Sequence, residues 1–403
     1  MTTATWRIPS VIILAAAIML GLNMGVRQTF GLFLEPMTID LGVSRTSFSL
    51  AIAIQNLLWG LMTPLYGALA DRFGVARCLA TGGLFYVAGI LLMALGGSEA
   101  SLHLGAGIMI GLAVGATGFP LVLAAVARAA PENRRALYLG LASSGGSAGQ
   151  FILLPVSQVL IQSIGWVDAL LALAAMTLLI LPLAIVLKGK ADAPAAGGPK
   201  QSLKAAVAEA ASHRGFLLLN GGFFVCGFHV SFVATHLPGY IVSCNLDPLV
   251  GATALSVIGF FNIIGGILAG VLGGRFRKKY ILASIYLARA VVIGLFLLGP
   301  KTEAAVMIFS ACFGLLWLST VPLTSGLVGD IFGTRYMATL FAIVMMSHQM
   351  GAFFGAWFGG ISFDLTGSYD AVWILSVGLG LLAAVLHWPI PDRPVHAAQG
   401  VSA

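Results

Sequence analysis

Apolar runs of about 20 residues, the length at which a helix crosses the roughly 30 Å hydrocarbon layer of a bilayer, recur along the whole chain. Short polar or glycine-rich connections separate them. We place twelve, at 9–34, 46–70, 78–97, 101–126, 136–162, 168–187, 215–240, 249–273, 280–299, 303–328, 337–361 and 370–389, called helices 1 to 12 below. None shows the period-two alternation of a barrel strand. Backbone groups in lipid must be hydrogen-bonded within their own segment, so the runs are predicted to be α-helices. The first run is too long for a cleaved signal and is followed by further spans, so it is expected to be retained.

Composition agrees with this pattern. Of 403 residues, 59% are hydrophobic and 9% charged, against about 25% charged in a soluble domain, and the mean hydropathy is +0.99. An integral membrane protein is expected, with no soluble domain left over. Cys78, Cys226, Cys244 and Cys312 lie in or near separate spans without metal-ligand spacing, which reads as packing rather than a disulfide framework or a metal site. No metal and no cofactor are expected. The chain has no phosphate-binding loop ending in Lys-Ser or Lys-Thr, no His-Glu-x-x-His and no nucleophile elbow, so neither ATP-driven transport nor an enzyme is indicated.

Charge sets an orientation. If both termini are cytoplasmic, all but four of the 21 basic residues fall on the cytoplasmic side, as the positive-inside rule requires. Arg45 and Lys301 lie outside, and Arg27 and Arg289 lie within spans. The net charge of +7 therefore belongs to loops against anionic headgroups, and no nucleic-acid partner is expected. All 14 acidic residues fall at helix ends, in loops or in tails. Intramembrane charge is expensive and usually paired, yet Arg27 and Arg289 lack an acid at their own depth.

The chain divides into residues 1–187, a basic linker at 188–214 whose second part reads as a surface helix, and residues 215–403. "GALADRFG" at 67–74 is echoed by "GVLGGRFR" at 270–277, and "GLAVGATGFP" at 111 by "GLLWLSTVP" at 314, both 203 residues on. Two similar six-helix halves place a site at their interface near the bilayer midplane, with alternating access by rocking.

On these motifs the chain resembles the major facilitator superfamily over essentially its full length. The resemblance implies twelve transmembrane helices in two pseudo-symmetric six-helix bundles. It gives Gly67, Asp71, Arg72 and Arg77, in the loop between helices 2 and 3, a gating role, with Asp71 pairing across the halves. The second copy has Gly274 at the aspartate position. "RQTFGLFLEP" looks most like helix 1 of the monocarboxylate porter and oxalate:formate antiporter branch, where a cation eight residues before a glutamate attracts a carboxylate. Arg27 stands eight residues before Glu35. The branch's helix-8 arginine is replaced by Gly266, with Asn262 nearby and Arg289 one helix later.

The candidate substrate-binding residues follow. Asn23 and Arg27, four apart, share a helix face, and arginine grips a carboxylate with two parallel hydrogen bonds; the alternative is an Arg27 that snorkels to the outer headgroups. Arg289 either meets the ligand or bonds helix-8 groups such as Asn262. His229 and His236 share a face of helix 7, as cavity lining or packing. His348 and Gln349 in helix 11, near the antiporter's lysine, either touch substrate or bond another helix. Gln150 is a long amide in the Gly/Ser/Ala ladder of helix 5, whose expected partner is helix 8. Thr117, Phe119 and Pro120 in helix 4 and Trp317, Ser319, Thr320 and Pro322 in helix 10 supply wall residues and bends.

The expected function is secondary transport of small carboxylate anions, monocarboxylates first, with the proton as a candidate coupling ion or by anion exchange. Alternatives are proton-coupled efflux of drugs or other metabolites, and a non-transporting membrane sensor. A monomer in the plasma (inner) membrane is expected.

Overall fold

The computed structural model describes residues 9–131, 135–188, 202–333 and 336–395; the side chains at 71, 135–137 and 338 lie outside this description. Among the described residues there is no strand. Helix 1 is Pro9–Leu41, helix 2 Arg45–Phe73, helix 3 Val75–Leu95 and helix 4 Glu99–Ala129. Helices 5 and 6 form one helical run from Arg135 that is interrupted at Gly165, where φ is 84°. A side chain there would be strained, so glycine allows the break between the two predicted spans. Helix 7 is Arg214–Ser243, helix 8 Pro248–Gly273, helix 9 Lys278–Leu298, helix 10 Glu303–Phe332, helix 11 Met337–Thr366 and helix 12 Asp370–His387. Eleven stretches are apolar and long enough to span a membrane, and Tyr138–Val186, divided at Gly165, makes the twelfth.

Side-chain caps fix several of the helix starts. Ser44 accepts from Ser47 N at helix 2, Asp247 from Leu249 N at helix 8 and Thr302 from Ala305 N at helix 10, satisfying amides that have no partner inside the helix. In the linker, residues 189–201 lie outside the description. Leu203–Ser212 is helical and capped by Ser202. The four cysteines are free.

Backbone contact between glycine-bearing faces joins helices 1 and 5. A Cβ on Gly149 would enter the Gly21 backbone, one on Gly145 would meet Ala17 O, and one on Gly25 would come within 2.7 Å of the Gly149 carbonyl. The small-residue ladder of helix 5 thus makes its closest approach to helix 1 rather than to helix 8. The physical reason is mutual: helix 1 brings its own glycines to the seam, so both backbones can approach. Helices 7 and 11 repeat the arrangement, with Gly227 against His348 O and with Gly351 and Gly355 against Phe224 O and Phe228 O.

Helices 4 and 10 are both broken. Gly118 is extended between Ile110–Thr117 and Phe119–Ala129, just before Pro120, which cannot supply a backbone N–H. Trp317 to Ser319 separate Glu303–Leu316 from Thr320–Phe332. The sequence pattern "TGFP" and "STVP" foretold bends at these points.

Hydrogen bonds between the two halves gather toward one end of the molecule. Arg45 Nη1 donates to Tyr369 Oη (2.7 Å), Thr46 N to Asp364 (2.7 Å), Asn56 Nδ2 to Ser231 Oγ (3.1 Å) and Gln150 Nε2 to Leu255 O (3.2 Å). Ser256 donates to Phe151 O, and Asn262 Nδ2 to Ser147 Oγ (3.3 Å). Among the described residues, none of these bonds lies beyond Ser147 and Asn262 toward the end that carries Arg72. There, a Cβ on Gly67, Gly140, Gly266 or Gly270 would meet no atom within 4 Å. Among the described residues, the hydrogen bonds named here between the halves lie toward the Arg45 end.

Candidate anion site between the halves

Arg27 lies on helix 1 where that helix faces both helix 2 and helix 7. Its Nη2 donates to Asn56 Oδ1, its guanidinium carbon stands 4.7 Å from the centre of the Trp59 ring, and its buried Nε has no partner. Among the described residues no carboxylate pairs with it. A small cavity of about 10 Å³, room for about one water, is lined by Arg27, Gln28, Phe30, Gly31, Ile52, Gln55, Ser231, Ala234 and Thr235. A cation, two amides and two hydroxyl residues therefore meet between helices 1, 2 and 7. Gly31 makes this possible: a Cβ there would run into Ala234 O and Thr235 O of helix 7.

Asn23 shares the helix-1 face but points deeper, donating through Nδ2 to Thr117 Oγ1 while its carbonyl accepts from Tyr86 Oη at 2.9 Å. Gln150 accepts from Gln28 Nε2 at 3.5 Å and donates to Leu255 O, so it joins helix 5 to helices 1 and 8.

Arg289 sits elsewhere. It is 0% exposed and donates through Nε (3.1 Å) and Nη2 (2.5 Å) to Leu316 O, and through Nη2 to Trp317 O. These are the last carbonyls of the first segment of helix 10, where the helix dipole is negative, so the break itself supplies the compensation that no acid does. The bonds go to helix 10, not helix 8. Asn262 holds the other side of the break by accepting from Leu318 N at 3.0 Å. Trp317, 1% exposed, packs edge-on against Phe313.

The histidines are distributed rather than gathered. His229 Nε2 bonds Ser376 O of helix 12 (2.8 Å), and His236 Nε2 bonds Ala356 O of helix 11 (2.6 Å). His348 is 3.4 Å from Gln349 Oε1 and packs on Phe223, and Gln349 lies against Gly60 of helix 2. Arg27 and its cavity are therefore not brought together with Arg289, Trp317 or His229. Where helix 2 gives way to helix 3, Arg72 is exposed over Phe73 and Arg77 is exposed, whereas the side chain of Asp71 lies outside the described residues.

Residues 16–349 match the model of the Major Facilitator Superfamily. The chain belongs to that superfamily. Among superfamily relatives, "Monocarboxylate transporter 13" of Bos taurus is 26% identical over 407 residues, covering 96% of this chain and 92% of the relative. "Uncharacterized MFS-type transporter YcxA" of Bacillus subtilis (strain 168) is 25% identical over 397 residues, covering 93% of each. "Monocarboxylate transporter 11" of Homo sapiens is 26% identical, covering 94% of this chain and 82% of the relative. In fold, the chain is similar to a bacterial homologue of the human lysosomal transporter Spinster, solved inward-facing and occupied, with a TM-score of 0.75 at 15% identity and coverage of 97% and 99%. The protein is a superfamily transporter, not an enzyme.

Sequence reasoning passed over Asn56, Gln55, Trp59, Ser231 and Thr235. The signal available was "IQNLLWG", two adjacent amides in an apolar run of helix 2. Ser231 and Thr235 carry no such mark, since small hydroxyl residues sit in transmembrane helices at little cost.

Proposed function

We propose that the protein is a secondary carrier of small organic anions, with monocarboxylates as its first class of substrate, working by alternating access through proton symport or anion exchange. The observation that carries this reading is Arg27: a cation at the seam between the halves, held by a neutral amide and an aromatic face, with one guanidinium N–H still unpartnered. A carboxylate approaching from the Arg72 end would find a charged donor whose own partner is only an amide. Two of the relatives named above are called monocarboxylate transporters, which supports the anion class.

In this reading Arg27 is the anchor, with Gln28, Gln55, Ser231 and Thr235 around it and Gln150 behind. Asn23, Asn262, Arg289 and Trp317 support the broken helices, and His348 and Gln349 line the helix-11 side. The halves 1–187 and 215–403 rock about the linker, Gly67, Asp71, Arg72 and Arg77 steady one access state, and the Arg72 end and both termini face the cytoplasm from the plasma (inner) membrane. With no acid at mid-span, a coupled proton would travel on a histidine or on the substrate's own carboxylate.

The test is uptake of labelled lactate, pyruvate and larger carboxylates into proteoliposomes by the wild type and by Arg27→Gln. Loss of uptake in the variant is expected. A confirmed anion carried equally well by both would end the assigned role of Arg27.

A further inference from the structure

Asn56 touches both the cation and the opposite half of the molecule. Its Oδ1 accepts from Arg27 Nη2, and its Nδ2 donates to Ile52 O (2.9 Å) on its own helix and to Ser231 Oγ (3.1 Å) on helix 7. The side chain is 0% exposed. Its orientation follows from these partners, because a flipped amide would set its oxygen against the Ile52 carbonyl and its NH2 against a guanidinium that can only donate. Helix 1, helix 2 and helix 7 are thereby tied through one amide at the seam between the halves.

Resting on the reading of Arg27 as the anion anchor, we propose that Asn56 is a positioning residue that stands in for the substrate carboxylate on Arg27 in the empty carrier and, through Ser231, latches the Arg45 end shut until an anion displaces it. A neutral acceptor suits this role. It accepts from one guanidinium N–H while the site is empty, yet a carboxylate, whose bonds to arginine are stronger, outcompetes it. Displacement frees the amide, removes its hold on helix 7 and lets the Arg45 end part. The anion thus triggers the opening through which it leaves, with no change in the substrate's own chemistry.

The arms of the latch are separable. Asn56→Asp sets a fixed carboxylate on Arg27 and is expected to raise KM by about tenfold or more, since apparent affinity falls with the fraction of carrier whose site is free. Ser231→Ala cuts the arm to helix 7 and leaves the amide on Arg27. It is expected to lower the closed-to-open ratio of the empty carrier by about fivefold, the worth of one neutral hydrogen bond. That ratio is read from distances between spin labels at Ile39 and Leu249, on the Arg45 end, in the whole protein without and with a transported carboxylate. In the wild type the carboxylate should shift the ratio toward open; in Ser231→Ala the empty carrier should already be shifted.

A wild-type KM in Asn56→Asp, or an unmoved distance distribution in Ser231→Ala, overturns the latch. If Arg27→Gln abolishes uptake in the same preparations, the anion reading survives that failure. If Arg27→Gln transports normally, the anion reading falls, and the latch with it. Should Asn56→Asp fail to fold, the label distances in Ser231→Ala decide alone.

Discussion

Thr117 and Thr320 stand 203 residues apart and close the same joint in the two halves. Thr117 meets Asn23 of helix 1 at the break in helix 4, and Thr320 meets Cys226 of helix 7 (3.2 Å) at the break in helix 10. Asn23 and Cys226 are themselves 203 residues apart, as are Tyr86 and Arg289. The third members have diverged in what they do. Tyr86 donates to the Asn23 carbonyl, whereas Arg289 reaches the helix-10 carbonyls. A buried charge held by backbone carbonyls thus occupies a structural place that a tyrosine fills in the other half.

Arg289→Leu should therefore act on stability before it acts on affinity. It strands Leu316 O and Trp317 O inside the protein, a loss of about 2–4 kcal/mol for bonds from a charged donor. Thermal unfolding in detergent should show a clear drop, with Arg289→Lys recovering part of it. KM of the folded fraction should stay near wild type, and a large KM change with normal stability would place Arg289 in the substrate site instead.

Arg27→Gln is expected to lower kcat/KM for a carboxylate by roughly 30- to 100-fold, the equivalent of about 2–3 kcal/mol for a charged hydrogen bond. Arg27→Lys should lose less, since it keeps the charge and gives up the planar fork. Initial rates of uptake into proteoliposomes measure both.

The helix 1–5 seam predicts a contrast between neighbouring glycines. Gly149→Ala would drive a methyl group into the Gly21 backbone, while Gly140→Ala meets no atom within 4 Å. The first should cost about 1–3 kcal/mol, as overpacking does, and the second should be close to neutral. Comparative thermal melts of the two purified variants check this.

Asp392 gives a pH dependence outside the membrane. Arg277 Nε donates to it at 2.9 Å and Lys279 Nζ lies 3.7 Å away, and the Arg277 hydrogen bond first, with Lys279 nearby, holds its carboxyl below the usual carboxylate range. A depressed folded-state value contributes stability above the ordinary carboxylate pKa, and this is lost as pH falls through the lowered value. Asp392→Asn should melt earlier than wild type at neutral pH, and the gap should close in acid, below the carboxylate range. A constant gap across pH would mean that packing, not charge, holds the tail after helix 12.

The helices were legible because a run of apolar residues and its length are local properties. Gly165 was legible only as a gap between spans. Arg27 was legible because a charge in lipid stands out, but its partner Asn56 was not, since an amide gains meaning only from what it touches. The spacing of His229 and His236 told which face of helix 7 they share and not which helix that face meets, and the structure turns His229 to helix 12. The helix-5 ladder announced a close approach without naming the partner, because "GLNMG" in helix 1 and "GFFNIIGG" in helix 8 offer similar small surfaces to a reader of sequence alone.

The glycine seams have a mechanical consequence. Where backbone rests on backbone, as at Gly21 with Gly149 and at Phe224 with Gly351, there is no side chain to compress, so each half behaves as a stiff lever. Stiff levers do not absorb a wedge at one end; they transmit it. If the halves rock as proposed, a displacement of a few ångströms at Arg27 would reach the far mouth of the carrier almost undiminished, and softening either seam should uncouple the two mouths before it unfolds the protein.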